Sequence, residues 1–323
     1  MKRLIILIAL LFAPLSAWAH HGGVSLAFGP GSPIETNSPL TLPEGGFVAG
    51  IRAEHIEWKN VNAFDDKSSF TFFNANLSYG FTPALMGTFI VPYYIKRTEN
   101  NGSNEGVADV KLQLTYGFHY DPVTGFSRNT ASDSAISSES PTDRTWLAVS
   151  AMASIPNGDH NQALRDGTVD PGMQSGFGAP SYTLGLSAAR AFGSLTMNAE
   201  VSTDIFSERE NFQFGSELRG NLAGVYELYG NTNNSLSRLD GILELNYLHL
   251  DRDREGGIGE QGTGGDILYL SPGLRMSFPA FRNANLGLLV KLPLLKSLNE
   301  KNLQQGAEGL EKFRLISTLS LYF

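Results

Sequence analysis

Phe73-Asn74-Ala75-Asn76-Leu77-Ser78-Tyr79-Gly80-Phe81-Thr82-Pro83-Ala84-Leu85-Met86-Gly87-Thr88-Phe89-Ile90-Val91-Pro92-Tyr93 is the stretch from which the rest of the chain is most easily read. Successive side chains of an extended strand point to opposite faces. Phe73, Ala75, Leu77, Tyr79 and Phe81 therefore share one face, and Asn74, Asn76, Ser78 and Gly80 the other. After Thr82-Pro83 the alternation resumes with Leu85, Gly87, Phe89, Val91, Tyr93 and Ile95. Two alternating segments joined by a tight turn make an antiparallel hairpin, greasy on one side only.

The same period of two recurs along the chain. Val110, Leu112, Leu114, Tyr116, Phe118 and Tyr120 alternate with Asp109, Lys111, Gln113 and Thr115. Leu195, Met197, Ala199, Val201 and Ile205 alternate with Asn198, Glu200, Ser202 and Asp204. The last segment sets Phe313, Leu315, Leu319, Leu321 and Phe323 against Lys312, Arg314, Thr318 and Ser320. Weaker examples fall near residues 46–58, 145–156, 179–190, 216–228, 239–250, 266–278 and 286–296, which brings the total to twelve. A soluble sandwich also alternates. These segments, however, run to ten residues or more, the length of a tilted bilayer crossing rather than of an ordinary soluble strand. Aromatic residues near their ends (Trp58, Phe81, Tyr93, Tyr94, Tyr120, Trp146, Phe278 and Phe323) suit a membrane–water girdle. Connections alternate between short (82–83, 191–194, 279–285) and long (97–107, 157–178, 251–265, 297–310). The fold expected is all-β, a closed antiparallel transmembrane barrel of about twelve strands over 46–323, since strands in lipid must close on themselves to pair every backbone group. Residues 121–144 are long although parity places them on the short-turn side. Either that connection is an unusual periplasmic excursion, or a pair of strands is hidden in it, or one strand is miscounted.

Composition agrees. Charged residues make up 17% of the chain and cysteine is absent, so disulfide frameworks, thiolate metal sites and thiol nucleophiles are excluded. Lys2 and Arg3, the apolar run Leu4 to Leu15 and Ala17-Trp18-Ala19 read as a signal peptide cleaved after Ala19. Removing Lys2 and Arg3 leaves 22 basic and 32 acidic residues, a mature charge of −10, which argues against nucleic acid as a partner. Export followed by insertion into a Gram-negative outer membrane is the expected fate. The terminal alternation Leu319, Leu321, Phe323 has the form of a signal for the barrel-assembly machinery. The expected partners are that machinery, outer-membrane lipid and lipopolysaccharide, and a small-molecule solute. Residues 20–45, with five Gly and four Pro, fit either a disordered periplasmic tail or a plug folded into the lumen.

Several stretches carry a family likeness: Ser154-Ile155-Pro156-Asn157-Gly158-Asp159 with Pro171-Gly172-Met173-Gln174-Ser175-Gly176-Phe177-Gly178, then Leu268-Tyr269-Leu270-Ser271-Pro272-Gly273-Leu274, and Leu292-Pro293-Leu294. Together with the lead-in Gly29-Pro30-Gly31-Ser32-Pro33-Ile34-Glu35-Thr36 and Leu42-Pro43-Glu44-Gly45-Gly46, they resemble the meta-pathway phenol-degradation family of outer-membrane transporters. The resemblance spans residues 28–323 and implies a barrel with an uptake role for small, often hydrophobic compounds. It transfers no catalytic or binding residue, because its motifs are turn and strand punctuation. Pro272 inside a strand implies a bulge or kink that would bend the wall and open a lateral or luminal gap.

Arg52, Glu54, Asp109, Lys111, Glu200, Asp204, Glu217, Arg219, Glu244, Arg275, Lys291 and Arg314 fall on the inward parity. Both signs occur, so they form no one-sign selectivity ring. A satisfied salt-bridge network and direct solute contact are both open to them. Asp159, Asp166, Asp170, Asp251 and Asp253 lie in loops without the spacing of a calcium loop, and His20-His21 lack a third ligand, so no metal or cofactor is assigned. His55 and His249 lie near strand ends without an evident serine partner, and no G-x-S-x-G or H-E-x-x-H occurs. The expected role is passive uptake along a lumen narrowed by the N-terminal stretch and by loops 157–178 and 251–265. A lipid-modifying barrel enzyme and a closed structural barrel are the alternatives.

Overall fold

The computed structural model describes residues 29, 31–58, 67–136, 140–231, 233–279, 283–300, 304 and 311–323. The signal-peptide segment, His20 and His21 lie outside them. Twelve long strands form the wall: β1 Phe47–Trp58, β2 Lys67–Thr82, β3 Leu85–Thr98, β4 Val110–Asp121, β5 Thr145–Ile155, β6 Ser181–Phe192, β7 Leu195–Phe206, β8 Glu217–Gly230, β9 Arg238–Leu250, β10 Gly265–Phe278, β11 Ala284–Leu298 and β12 Glu311–Tyr322. Each pairs antiparallel with its neighbour in sequence. β12 returns to β1 in register from Val48↔Tyr322 onward. The sheet therefore has no edge, and every interior strand satisfies its backbone on both sides. No helix among the described residues is long and apolar enough to cross a membrane; strands of 11 to 16 residues take that part.

Alternation sorts the side chains as the hairpin at 73–93 implies. Leu114, Leu184 and Leu186 stand 56, 57 and 60% exposed on the outer wall, while Asn74, Ser78, Thr88 and Asn198 are buried inside. Three aromatic residues expected in the outer girdle point the other way. Phe81, Tyr93, Tyr120 and Phe323 are exposed, but Trp58, Tyr94 and Trp146 are buried. Trp58 and Tyr94 share parity with the inward Arg52 and Lys96, and parity outweighs a preference for the interface.

A second correction lies at the seam. Glu57 faces Phe313, whereas Trp58 faces Glu311, so Lys312 is an extra residue in β12. This bulge turns Lys312 outward and Glu311 into the lumen, the reverse of uninterrupted alternation. Pro272 produces no bulge. It pairs in register with Leu243 of β9; toward β11 the pairs Leu270↔Leu292 and Gly273↔Leu289 flank two unpaired positions without a change of register. The shift in that strand pair falls instead at Leu268/Tyr269, where Leu294 is the residue without a partner.

The ends differ. One carries turns as short as 83–84 and 193–194; the other carries the loops 99–109, 156–180, 207–216 and 251–264. The described residues of 121–144 lie at the short-turn end, and no wall strand occurs among them. Gly125–Arg128 folds back on the end of β4, and a single 3-10 turn, Ala131–Asp133, follows. Asp133 fixes it by accepting hydrogen bonds from Thr130 N (2.8 Å), the Trp146 indole (3.0 Å) and Arg144 (3.1 Å). Ile136 then packs on Trp146, Ala189, Ala191 and Leu40.

Candidate functional site

The lumen is occupied by the chain's own N-terminal segment. Residues 31–36 are buried among inward-facing side chains. A backbone without secondary structure brings unpaired N–H and C=O groups into that interior, and each needs a partner. The wall supplies them. Glu244 accepts four hydrogen bonds: from the N–H of Ile34 (2.8 Å), Glu35 (3.0 Å) and Thr36 (2.8 Å), and from the Thr36 hydroxyl (2.6 Å). Glu200 accepts from Asn37 N (2.8 Å) and Nδ2 (2.6 Å), and Asp240 from Gly31 N (3.1 Å). Carbonyls are met by cations: Arg275 donates to Ser32 O (3.0 Å) and Pro33 O (2.6 Å), and Arg52 to Ile34 O (3.2 Å).

Glu35 is the charged link between segment and wall. Its carboxylate accepts from Arg52 Nη2 at 2.6 Å and Lys291 Nζ at 2.7 Å. Burial alone would push its carboxyl up; Lys291, Arg52 and Arg314 outweigh that and hold it well below the usual carboxylate range. The network continues from Arg52 to Glu54 (2.9 Å), Glu54 to Arg314 (2.5 Å) and Arg314 to Glu311 (2.7 Å). Beside these charges Ile34 fills an apolar socket of Val225, Ile242, Leu289 and Ile316. Lower in the lumen Leu40 meets the Ile136 and Trp146 cluster, and Thr41 donates to Pro83 O (2.6 Å) and accepts from Asn129 (3.2 Å).

The other inward charges serve different partners. Arg219 bridges Asp204 and Glu217, and Thr183 donates to Asp204. Asp109 accepts the N–H groups of Gly158 (2.9 Å), Phe177 (2.8 Å) and Gly178 (3.2 Å), so it anchors loop 156–180. Lys111 is half-buried and has no hydrogen bond or ion pair among the described residues. Glu35, Asp240, Arg238 and Glu311 belong to the same interior and escaped sequence reading. Asp240 shares its parity with Glu244 and was findable; Glu35 sits in a segment without periodicity, and Glu311 is revealed only by the bulge.

Aromatic residues pack into buried clusters at the long-loop end. Trp58 meets Phe70 (5.2 Å between centroids) and Phe72 meets Tyr94 (4.5 Å). Met173 from loop 156–180 inserts among them. A second group joins Phe177, Phe206, Phe212 and Phe214. Loop 156–180 sits close to the wall: a Cβ on Gly158 would lie 2.6 Å from the Ala108 backbone, and one on Gly176 2.7 Å from Gly158. Loops 207–216 and 251–264 are tied through Asp253, which accepts Gly215 N (2.7 Å).

On the outer wall His249 Nδ1 bonds Asp266 (2.8 Å), to which the Tyr247 hydroxyl also donates (2.6 Å). His55 bonds Thr71 (2.9 Å). Neither His55 nor His249 is hydrogen-bonded to a serine in these pairings. The loop aspartates act in local turns; Asp170 accepts Gly172 N (2.8 Å) and Asp166 accepts Thr168 N (2.9 Å). No group of three or more His, Asp or Glu able to hold a metal occurs among the described residues.

No protein-family model and no curated protein matches the chain. Among solved structures it is similar to the COG4313 outer membrane channel from Pseudomonas putida F1, with 13% identity and a TM-score of 0.62 over 88% of this chain and 97% of that one. Looser likenesses reach the NanC porin (8% identity, TM-score 0.41, 84% of this chain and 97% of that one). They also reach the β domain of the Bordetella autotransporter Brka (11%, 0.44, 87% and 100%). The first of these likenesses places the fold: a closed, twelve-stranded barrel of outer-membrane type.

Proposed function

We propose that the protein is an outer-membrane channel for passive uptake of a small apolar or aromatic solute. The observation that carries this reading is the contrast between mouth and bore. The long-loop end gathers Trp58, Phe70, Phe72, Tyr94 and Phe206 of the wall with Phe177, Phe212 and Phe214 of the loops, where a porin for polar solutes needs water-facing groups. The bore behind it holds an ordered segment on charged wall residues, which leaves no wide aqueous pore. A solute that gains free energy by leaving water, about 25 cal/mol per Å² of apolar area, has reason to enter such a mouth; a hydrated ion does not. The fold shared with an outer membrane channel supports the same reading. Passage follows the concentration gradient, with Leu319, Leu321 and Phe323 serving assembly into the membrane.

Uptake into liposomes tests it. Proteoliposomes should admit toluene-sized aromatic solutes faster than protein-free vesicles and show little swelling with sugars. Equal rates for every solute with and without protein would overturn the proposal and favour the closed structural barrel.

A further inference from the structure

Beneath loop 156–180, between the loop and the wall, lies a recess of about 30 Å³ lined by Lys96, Lys111, Ser175, Phe177, Phe214 and Tyr94 among others. Its polar groups are unevenly satisfied. Lys96 donates to Gly172 O at 2.7 Å. Asp109 is committed to three loop N–H groups. Ser154 Oγ accepts from Ser181 N (2.8 Å) and Ser181 Oγ (2.9 Å). The nearby acids Asp204 and Glu217 are engaged by Arg219. The groups left over among the described residues include the Lys111 ammonium, without hydrogen bond or ion pair, and the buried Ser175 hydroxyl, without a hydrogen-bond partner.

Both of these can donate, and one is charged. A buried donor left unmade costs free energy, and a half-buried charge without a counter-ion keeps only part of its hydration. We propose that this recess binds a carboxylate, with Lys111 as counter-ion and Ser175 as second donor. Its size fits the head: one water needs roughly 10–15 Å³ by this measure, so about 30 Å³ takes two oxygens and no ring. Phe177 and Phe214, 4.6 Å apart between centroids, border the recess and offer an apolar surface to whatever the head carries. The proposal deepens the channel reading, on which its role rests: the solute class becomes small acids with an apolar tail, such as aromatic carboxylates. Free small carboxylates share the head chemistry.

Calorimetric titration of the full-length barrel in zwitterionic detergent with acetate, benzoate and benzyl alcohol tests the site. Benzoate should bind about tenfold or more tightly than benzyl alcohol, the neutral analogue, as expected for a charge-assisted hydrogen bond. Lys111→Met should weaken benzoate about tenfold or more, Lys111→Arg should retain it, and Ser175→Ala should cost a few-fold. Acetate binding as well as benzoate assigns the site to free small anions; benzoate alone assigns it to tailed acids; either supports the proposal. No carboxylate binding to the wild-type protein, or equal affinity in folded Lys111→Met, overturns it. If Lys111→Met does not fold, parity of benzoate and benzyl alcohol in the wild type is the overturning result. Benzoate binding without uptake would sink the channel reading alone, and uptake without binding would sink only this site.

Discussion

Glu244→Gln should release the N-terminal segment from the bore. The carboxylate oxygens each take two donors: Oε1 the N–H of Ile34 and Glu35, Oε2 the N–H and hydroxyl of Thr36. Glutamine has nearly the same shape but one oxygen becomes an NH2, so two acceptor interactions vanish and donor faces donor. Hydrogen bonds to a charged group contribute about 1.5–3 kcal/mol each, so the two together amount to roughly 3–6 kcal/mol of docking free energy. The chain has no cysteine, so Ser32→Cys places a single thiol at a fully buried position of the segment. When labelling is slower than redocking, its rate follows the undocked population. A loss of 3 kcal/mol or more raises that rate about a hundredfold or more. The assay is methanethiosulfonate labelling of S32C and S32C/E244Q, with heat-modifiable gel mobility to confirm that both barrels are folded. Labelling rates within about threefold of one another would refute the view that Glu244 holds the segment.

Glu35 makes docking acid-resistant. Its carboxyl is held below the ordinary 4.5, so its contribution is complete above that value and is lost only as pH falls further, toward the lowered pKa. Hydrogen exchange of residues 31–37, corrected for intrinsic rate, should show equal protection at pH 7 and pH 4.5; a transition between them would contradict the assignment. Ile34→Ala empties the socket of Val225, Ile242, Leu289 and Ile316 and should weaken docking by about 2–5 kcal/mol, read as faster labelling of S32C. Gly158→Ala sets a methyl 2.6 Å from the Ala108 backbone and should lift loop 156–180, seen as proteolysis within it while the barrel stays folded; unchanged cleavage would show that the loop yields without cost. Phe323→Ala removes the edge-to-face contact with Phe47 at 6.0 Å and should lower the yield of folded barrel in assembly assays.

Much of this architecture is legible in the chain because hairpin neighbours are sequence neighbours. The Phe73–Phe81 alternation needs only local pairing across Thr82-Pro83 to become wall, and the same holds around the barrel. Reading fails where the period slips or ends. Trp58, Tyr94 and Trp146 look like girdle residues because aromatic character marks depth, whereas parity alone decides the face. Lys312 and Glu311 exchange faces at a bulge that no residue type announces. The interior network is harder still: Lys291 and Glu35 are 256 residues apart, and a segment without period carries no mark of its register. Inward parity identified Arg52, Glu244 and Arg275 as interior residues, but not that their partners would be backbone atoms of the same chain.

The N-terminal segment's partners also set a timetable. Four of its anchors, Asp240, Glu244, Arg275 and Lys291, lie in the last third of the sequence, whereas Arg52 and Glu200 come earlier. Residues near the start of the chain thus depend for part of their seating on strands near its end. Complete seating needs the last strands in place, because a chain truncated before β11 lacks the Lys291 contact to Glu35 and half of the Ile34 socket, Leu289 and Ile316.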